Sequence, residues 1–172
     1  MNHSSSRRNF VKASSTITAG TLLASPYVGK AVQKNKIIKI GLVGIGGRGS
    51  GAAAQAMNAD PNVALTAIGD LFEDRIKLRS RILKARGRDK YQVTDETTFT
   101  GFDAYKKVID SGVDVVILTT PPAFRPQHLE YAIEKGVHCF FEKPVAVDAT
   151  GVRKVIELAK KAKEKNLNFM SG

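Results

Sequence analysis

From Lys36 onward, short apolar runs rich in branched residues alternate with stretches of helical period. Ile37 to Val43 is the first run, followed by glycines and a helix-forming stretch from Gly51 to Met57. Val63 to Ile68 is the second, before a helical period over Glu73 to Lys84 in which Ile76, Leu78, Ile82 and Leu83 form one apolar stripe. Val113 to Leu118 is the third. Pro126 to Lys135 then reads as a helix with proline in its first turn and Gly136 just past its end. Val137 to Phe141 is the fourth run. A long helix over Asp148 to Lys165, with Val152, Val155, Ile156, Leu158 and Ala159 on one face, leads to Leu167 to Met170. Between the second helix and the third run, Gly87 and Asp89 break the pattern, Tyr91 to Val93 predicts a short strand, and Asp103 to Asp110 a short helix. Strands that are apolar throughout have no polar face to give to water, so each must be covered on both sides. Alternating with helices, they predict an α/β fold, a doubly wound parallel sheet.

Composition narrows this picture only slightly. The chain has 172 residues, 42% of them hydrophobic, which suits one domain with a sizeable core and is short for a two-domain enzyme. The formal charge of +11 raises nucleic-acid binding, but its distribution argues against it. Residues 1–31 carry Arg7, Arg8, Lys12 and Lys30 and no acid, which leaves +7 of the +11 to the remainder. Much of that remainder lies on the polar faces of the second and last helices, where a solvated surface explains it. No nucleic-acid partner is expected. Cys139, the single cysteine, sits in an apolar run and reads as a small buried hydrophobe, so no disulfide framework or metal site is expected.

The glycines after the first run carry the chemistry. Gly44, Gly46 and Gly49 make GxGxxG directly after a strand and before a helix, the setting in which that motif is informative. The first glycine permits the tight turn, the second lets the backbone approach a diphosphate, and the third lets helix and strand pack. Amide groups at the helix start meet the anion, with Ile45, Gly47 and Arg48 completing the turn. No lysine stands where a triphosphate-binding loop needs one. Asp70 ends the second strand, 21 positions after Gly49, where an acid accepts hydrogen bonds from ribose hydroxyls. A carboxylate there repels a 2′-phosphate, so NAD is favoured; Arg75 nearby keeps NADP as the alternative, and S-adenosylmethionine is the other ligand class for this turn.

In such a sheet the ligand lies beyond the carboxyl ends of the strands. Thr119, Thr120, Pro121 and Pro122 follow the third run, and Glu142, Lys143 and Pro144 follow the fourth, so both segments face one crevice. The run TTPPAFRPQHLEYAIEKGVHCFFEKPVAV, with the turn Gly44 to Gly49, Asp70, Thr120-Pro121, His128 and Glu142-Lys143-Pro144 in order, resembles the oxidoreductase family named for glucose–fructose oxidoreductase, inositol dehydrogenase and the rhizopine protein MocA. The resemblance spans Lys36 to Gly172 and implies a Rossmann-type NAD(P)-binding domain over residues 36–172. It implies that Lys143 is the catalytic contact beside the nicotinamide, that Glu142 meets a cofactor ribose, and that the prolyl bond after Lys143 is cis. His128 is a weaker cofactor contact, as suited to packing, and His138 is expected to be structural. Family members continue into a C-terminal α+β substrate domain, which is expected to be absent from this chain, so the fragment alone is expected to be inactive. The implied activity is hydride transfer between nicotinamide and a carbinol carbon of a sugar or polyol. Two alternatives stand: an NAD-dependent glycosidase of the same superfamily using transient hydride transfer, and a non-catalytic fragment or basic binding module. A homo-oligomer is expected only for the full-length protein.

The N-terminus reads separately. SRRNFVK precedes the modestly apolar STITAGTLLASPYV and then Gly29-Lys30-Ala31, with small residues flanking a cut after Ala31. Residues 1–31 resemble a twin-arginine export signal, which implies the twin-arginine (Tat) machinery as a partner and a periplasmic or otherwise exported destination. The apolar segment is too short and polar to span a bilayer, so no membrane anchor is expected in the mature form. That route carries proteins already folded, which suits a domain that closes around a cytoplasmic cofactor before leaving.

Overall fold

The computed structural model describes residues 36–172, so the export signal expected over residues 1–31 lies outside the described residues. Strands β1 (Ile38–Val43), β2 (Val63–Asp70), β3 (Thr98–Thr100), β4 (Val115–Leu118), β5 (His138–Phe141) and β6 (Phe169–Ser171) form one sheet in the order β3-β2-β1-β4-β5-β6. Every neighbouring pair is parallel. The helices are α1 (Gly47–Ala59), α2 (Glu73–Gly87), α3 (Ala104–Asp110), α4 (Arg125–Glu134) and α5 (Ala149–Glu164). The doubly wound α/β fold is therefore observed, with its topological switch between β1 and β4.

The apolar strands explain the two layers. Ile40, Leu42, Leu65, Ile68 and Ile117 pack with Ala53 and Met57 of α1 and Ile76 and Leu83 of α2. Val43, Ala67, Val116, Leu118 and Phe141 pack with Val108 of α3, Leu129 and Ile133 of α4, and Val155 and Leu158 of α5. Both faces of the central strands are covered over Ile40 to Val43, Val116 to Leu118 and nearly all of Val63 to Asp70, as their largely apolar runs require. Cys139 is 3% exposed within the second layer, and burial pushes its thiol up to about 12, which leaves it an inert hydrophobe.

Three local expectations are corrected. Tyr91 to Val93 is no strand: Tyr91 makes one isolated bridge to Leu65, and Thr98–Thr100 takes the edge position beside Ile68–Asp70. The edge strand has one half-covered face, so threonines serve where an apolar run was sought. Of the stripe expected in α2 only Ile76 and Leu83 are buried, while Leu78 is 60% exposed. In α5 the buried row is Val155, Leu158 and Ala162, and Ile156 is 52% exposed. Among the described residues no helix is long and apolar enough to cross a membrane, and no group of His, Cys, Asp or Glu is arranged to hold a metal ion.

Candidate functional site

The site grows from the end of β1. Gly44 has φ +91°, and a Cβ there would lie 2.8 Å from the Thr120 amide nitrogen, so the ends of β1 and β4 meet backbone to backbone. A Cβ on Gly49 would lie within 3 Å of both the Gly44 carbonyl oxygen and Thr119 Oγ1, which is why α1 can begin directly against the turn. The Thr119 hydroxyl donates to the carbonyls of Val43 and Gly44 and ties β4 to this bend. Gly46 caps α1, with no side-chain cap and no acid in the first turn, and a Cβ on Gly46 would meet nothing within 4 Å. The unpaired amides and positive dipole end of α1 thus face open space, the geometry of an anion cradle.

Asp70 is 7% exposed at the end of β2. Its Oδ2 accepts from the Ile45 amide at 2.8 Å and its Oδ1 from the Phe72 amide at 3.1 Å. The acid therefore fixes the shape of the turn, and each oxygen keeps acceptor capacity toward the pocket that Asp70 lines. Ile45 contributes its amide only; its side chain is wholly buried among Ala53, Met57 and Leu65.

Beside the cradle lies a pocket of about 170 Å³. Leu71, Phe72 and Arg75 form one wall, Phe102 and Tyr105 another, and Thr119, Thr120, Pro121, Phe124 and His128 the third. The Arg75 guanidinium sits 4.9 Å over the Phe72 ring, and Phe72 and Phe102 are 47% and 73% exposed. A flat apolar slot next to a carboxylate and an anion cradle matches a nucleoside joined to a diphosphate. His128 stacks on Tyr105 with ring centroids 4.0 Å apart, and its Nδ1 is 3.2 Å from Thr120 Oγ1. Burial, and then the Arg125 cation, push its pKa down to about 4, so at neutral pH it is a neutral hydrogen-bonding partner of Thr120.

The second loop stands on the same edge. Glu142, 6% exposed, accepts from Arg48 Nε at 2.7 Å, and this pair spans from α1 to the end of β5. The Arg48 guanidinium, held charged by Glu142, thus points across the crevice and not into the cradle. Lys143 follows, exposed, and the Lys143–Pro144 bond is cis, as expected. His138 Nδ1 accepts from the Asn168 amide and ties β6 to β5, a structural role. Of the residues expected at the site, the pocket gathers Gly44, Gly46, Asp70, Thr119, Thr120, Pro121 and His128. Gly47, Arg48, Glu142 and Lys143 stand on the edge outside its walls, and Ile45 and Gly49 lie beneath the turn. The sequence reading missed Phe72, Phe102, Tyr105 and Arg125. Arg125 alone left a signal: it is the one charge in TTPPAFRPQ, between prolines at the mouth of the crevice.

The parallel order, the glycine turn and the flanking acid define a dinucleotide-binding domain of the Rossmann class. Residues 38–169 match the Gfo/Idh/MocA family, described as oxidoreductase family, NAD-binding Rossmann fold, and the chain belongs to that family. A curated relative, an alpha-N-acetylgalactosaminidase of Shewanella oneidensis, is 27% identical over 188 residues that take in 98% of this chain. Myo-inositol 2-dehydrogenase of Lactobacillus plantarum is 26% identical with a TM-score of 0.63, over 80% of this chain and 36% of that one. Scyllo-inositol dehydrogenase of Lactobacillus casei, solved with bound NAD(H) and scyllo-inositol, shares the fold at a TM-score of 0.62 and 24% identity, over 80% of this chain and 36% of that one. The chain spans 39% of the length of the curated relative.

Proposed function

We propose that this chain is the cofactor-binding part of an exported NAD-dependent oxidoreductase that transfers hydride between nicotinamide and a carbinol carbon of a sugar or polyol. The observation that carries the reading is the uncapped, open-sided turn at Gly46, flanked by Asp70 and the aromatic slot. The residues present fit the dinucleotide: α1 amides hold the diphosphate, Asp70 accepts from the adenosine ribose hydroxyls, and Phe72 and Phe102 flank the base. When bound, the nicotinamide supplies the hydride-exchanging carbon. Lys143, on the edge next to Glu142, orients the substrate's reacting oxygen and exchanges its proton. Arg48 and Glu142 bridge the mouth of the crevice, and the neutral His128 holds Thr120.

Asp70 supports NAD over NADP, because a second negative charge beside its carboxylate is repelled. Asp70→Ala should weaken NAD binding about tenfold or more, the range for lost hydrogen bonds to a charged group, and NADP binding much less. Titration against both cofactors decides this, and equal losses would remove the ribose assignment.

A second reading is an NAD-dependent glycosidase with transient hydride transfer, favoured by the name of the curated relative. Product analysis of the complete enzyme separates the two: net NADH marks the oxidoreductase, and sugar release without net redox change marks the glycosidase. Export through the twin-arginine route to the periplasm is the destination we assign to the leader, on the strength of SRRNFVK, the apolar segment behind it and the small residues around Ala31.

A further inference from the structure

Arg125 is 1% exposed, at the first turn of α4. Its Nη2 donates to the carbonyl of Thr120 and its Nη1 to the carbonyl of Pro144 at 2.9 Å. Its Nε–H has no hydrogen-bond partner among the described residues. Burial lowers its affinity for the proton, and the nearby Glu142 carboxylate offsets part of that. A buried guanidinium with an empty donor is an expensive way to stabilise a fold, since an apolar side chain of similar volume serves as well or better. What it does that an apolar side chain cannot is bridge two backbone carbonyls, of Thr120 and Pro144, that lie beyond the last residues β4 and β5 pair, Leu118 and Phe141. They stand on the loop after β4, which carries Thr120 and Pro121 into the pocket wall, and the loop after β5, which carries Glu142 and Lys143. In a doubly wound sheet the strands past the switch form the second mononucleotide half, so both carbonyls stand on loops of that half, the loop after β4 where it also walls the nucleoside pocket.

We propose that Arg125 is the positioning residue of the nicotinamide half: its guanidinium fixes the gap between the two loops, and so where Thr120 and Lys143 stand against the cofactor. The proposal rests on the dinucleotide reading above. A planar fork reaches two acceptors in fixed directions, which a lysine ammonium on a flexible stem does not.

The test compares NADH with ADP-ribose, which shares the adenosine and diphosphate but lacks the nicotinamide. Affinities are measured by calorimetry for the wild-type chain, Arg125→Lys and Arg125→Met, each checked for folding by circular dichroism. A gap-setting role predicts that both variants lose NADH affinity about tenfold while ADP-ribose affinity stays within about twofold. Added methylguanidinium should restore NADH binding to Arg125→Ala. Equal losses for the two ligands, or unchanged NADH affinity in a folded variant, would overturn the assignment. If Arg125→Met does not fold, Arg125→Lys, which keeps the buried charge, decides alone. A wild-type chain that binds neither ligand overturns the dinucleotide reading itself, an outcome separate from failure of the clamp.

Discussion

At the scale of single residues, the site is built from side chains held by backbone. Asp70 is fixed by two amides, Thr119 by two carbonyls, and His128 by Tyr105 beneath it and Thr120 beside it. His128 makes this measurable. Its folded pKa of about 4 lies below the ordinary value of 6.5, so between those two values the unfolded chain binds a proton that the folded one refuses. Stability is therefore complete above pH 6.5 and falls as the pH drops toward 4, by on the order of 3 kcal/mol. Carboxylates whose pKa is lowered, such as Asp103 and Asp110, take their toll only further down, below the unfolded carboxylate range near ~4. Denaturant unfolding at pH 7 and pH 4.5 should show this loss in the wild type and a flatter profile in His128→Gln; parallel profiles would mean that the imidazole does not resist protonation. The glycines, Asp70 and the Glu142-Lys143-Pro144 loop were legible in the sequence because each follows an apolar run, and a parallel sheet places run ends together. Arg125, Tyr105 and Phe102 were not, because their roles depend on which loops meet across the crevice, and no periodicity along the chain records that.

Between elements, the decisive contact is the handover from β1 to α1. Helix α1 begins at Gly47, inside the motif and four residues before the expected start at Gly51, so Gly47 and Gly49 lie in the first turn of the helix and not in a loop ahead of it. That placement leaves no room at Gly49, where a methyl group would sit 2.5 Å from Thr119 Oγ1 and closer still to the Gly44 carbonyl. Gly49→Ala must therefore push α1 off the turn or rotate Thr119 away from it. NADH affinity should fall at least about tenfold, with stability lowered by about 1–3 kcal/mol, the range for overpacking a tight contact. Gly46→Ala is the matched control: its methyl group meets no protein atom, so stability should hold while binding falls through crowding of the ligand alone. Calorimetry and thermal melting on the two variants test the pairing, and loss of stability at Gly46 with none at Gly49 would invert it. The strands were read correctly wherever burial is complete, and the reading slipped at β3, where Thr98–Thr100 has the half-covered environment of an edge.

For the whole molecule, the order of the strands bears on the export proposed above. The cradle requires β1 against β4, whose partners Ile40 and Val115 are far apart in the chain, and the crevice requires the loop after β5 as well. None of this exists in an extended polypeptide, so a chain threaded through a membrane unfolded arrives without its ligand. A cofactor made inside can accompany the protein only if the domain has closed around it first, since a ligand that binds the native state alone also stabilises that state by mass action. The leader reading and the fold thus make one joint prediction. Replacing Arg7 and Arg8 together by lysine should leave the precursor in the cytoplasm of a host with a twin-arginine route, folded and able to bind NADH. Weakening the cradle by Gly49→Ala should lower export of an otherwise native leader in proportion to the unfolded fraction. Fractionation and mass spectrometry of the exported species check both arms, together with whether a nicotinamide dinucleotide travels with the protein. Export of the double-lysine precursor at the wild-type level would sever the link between the leader and the folded cofactor domain.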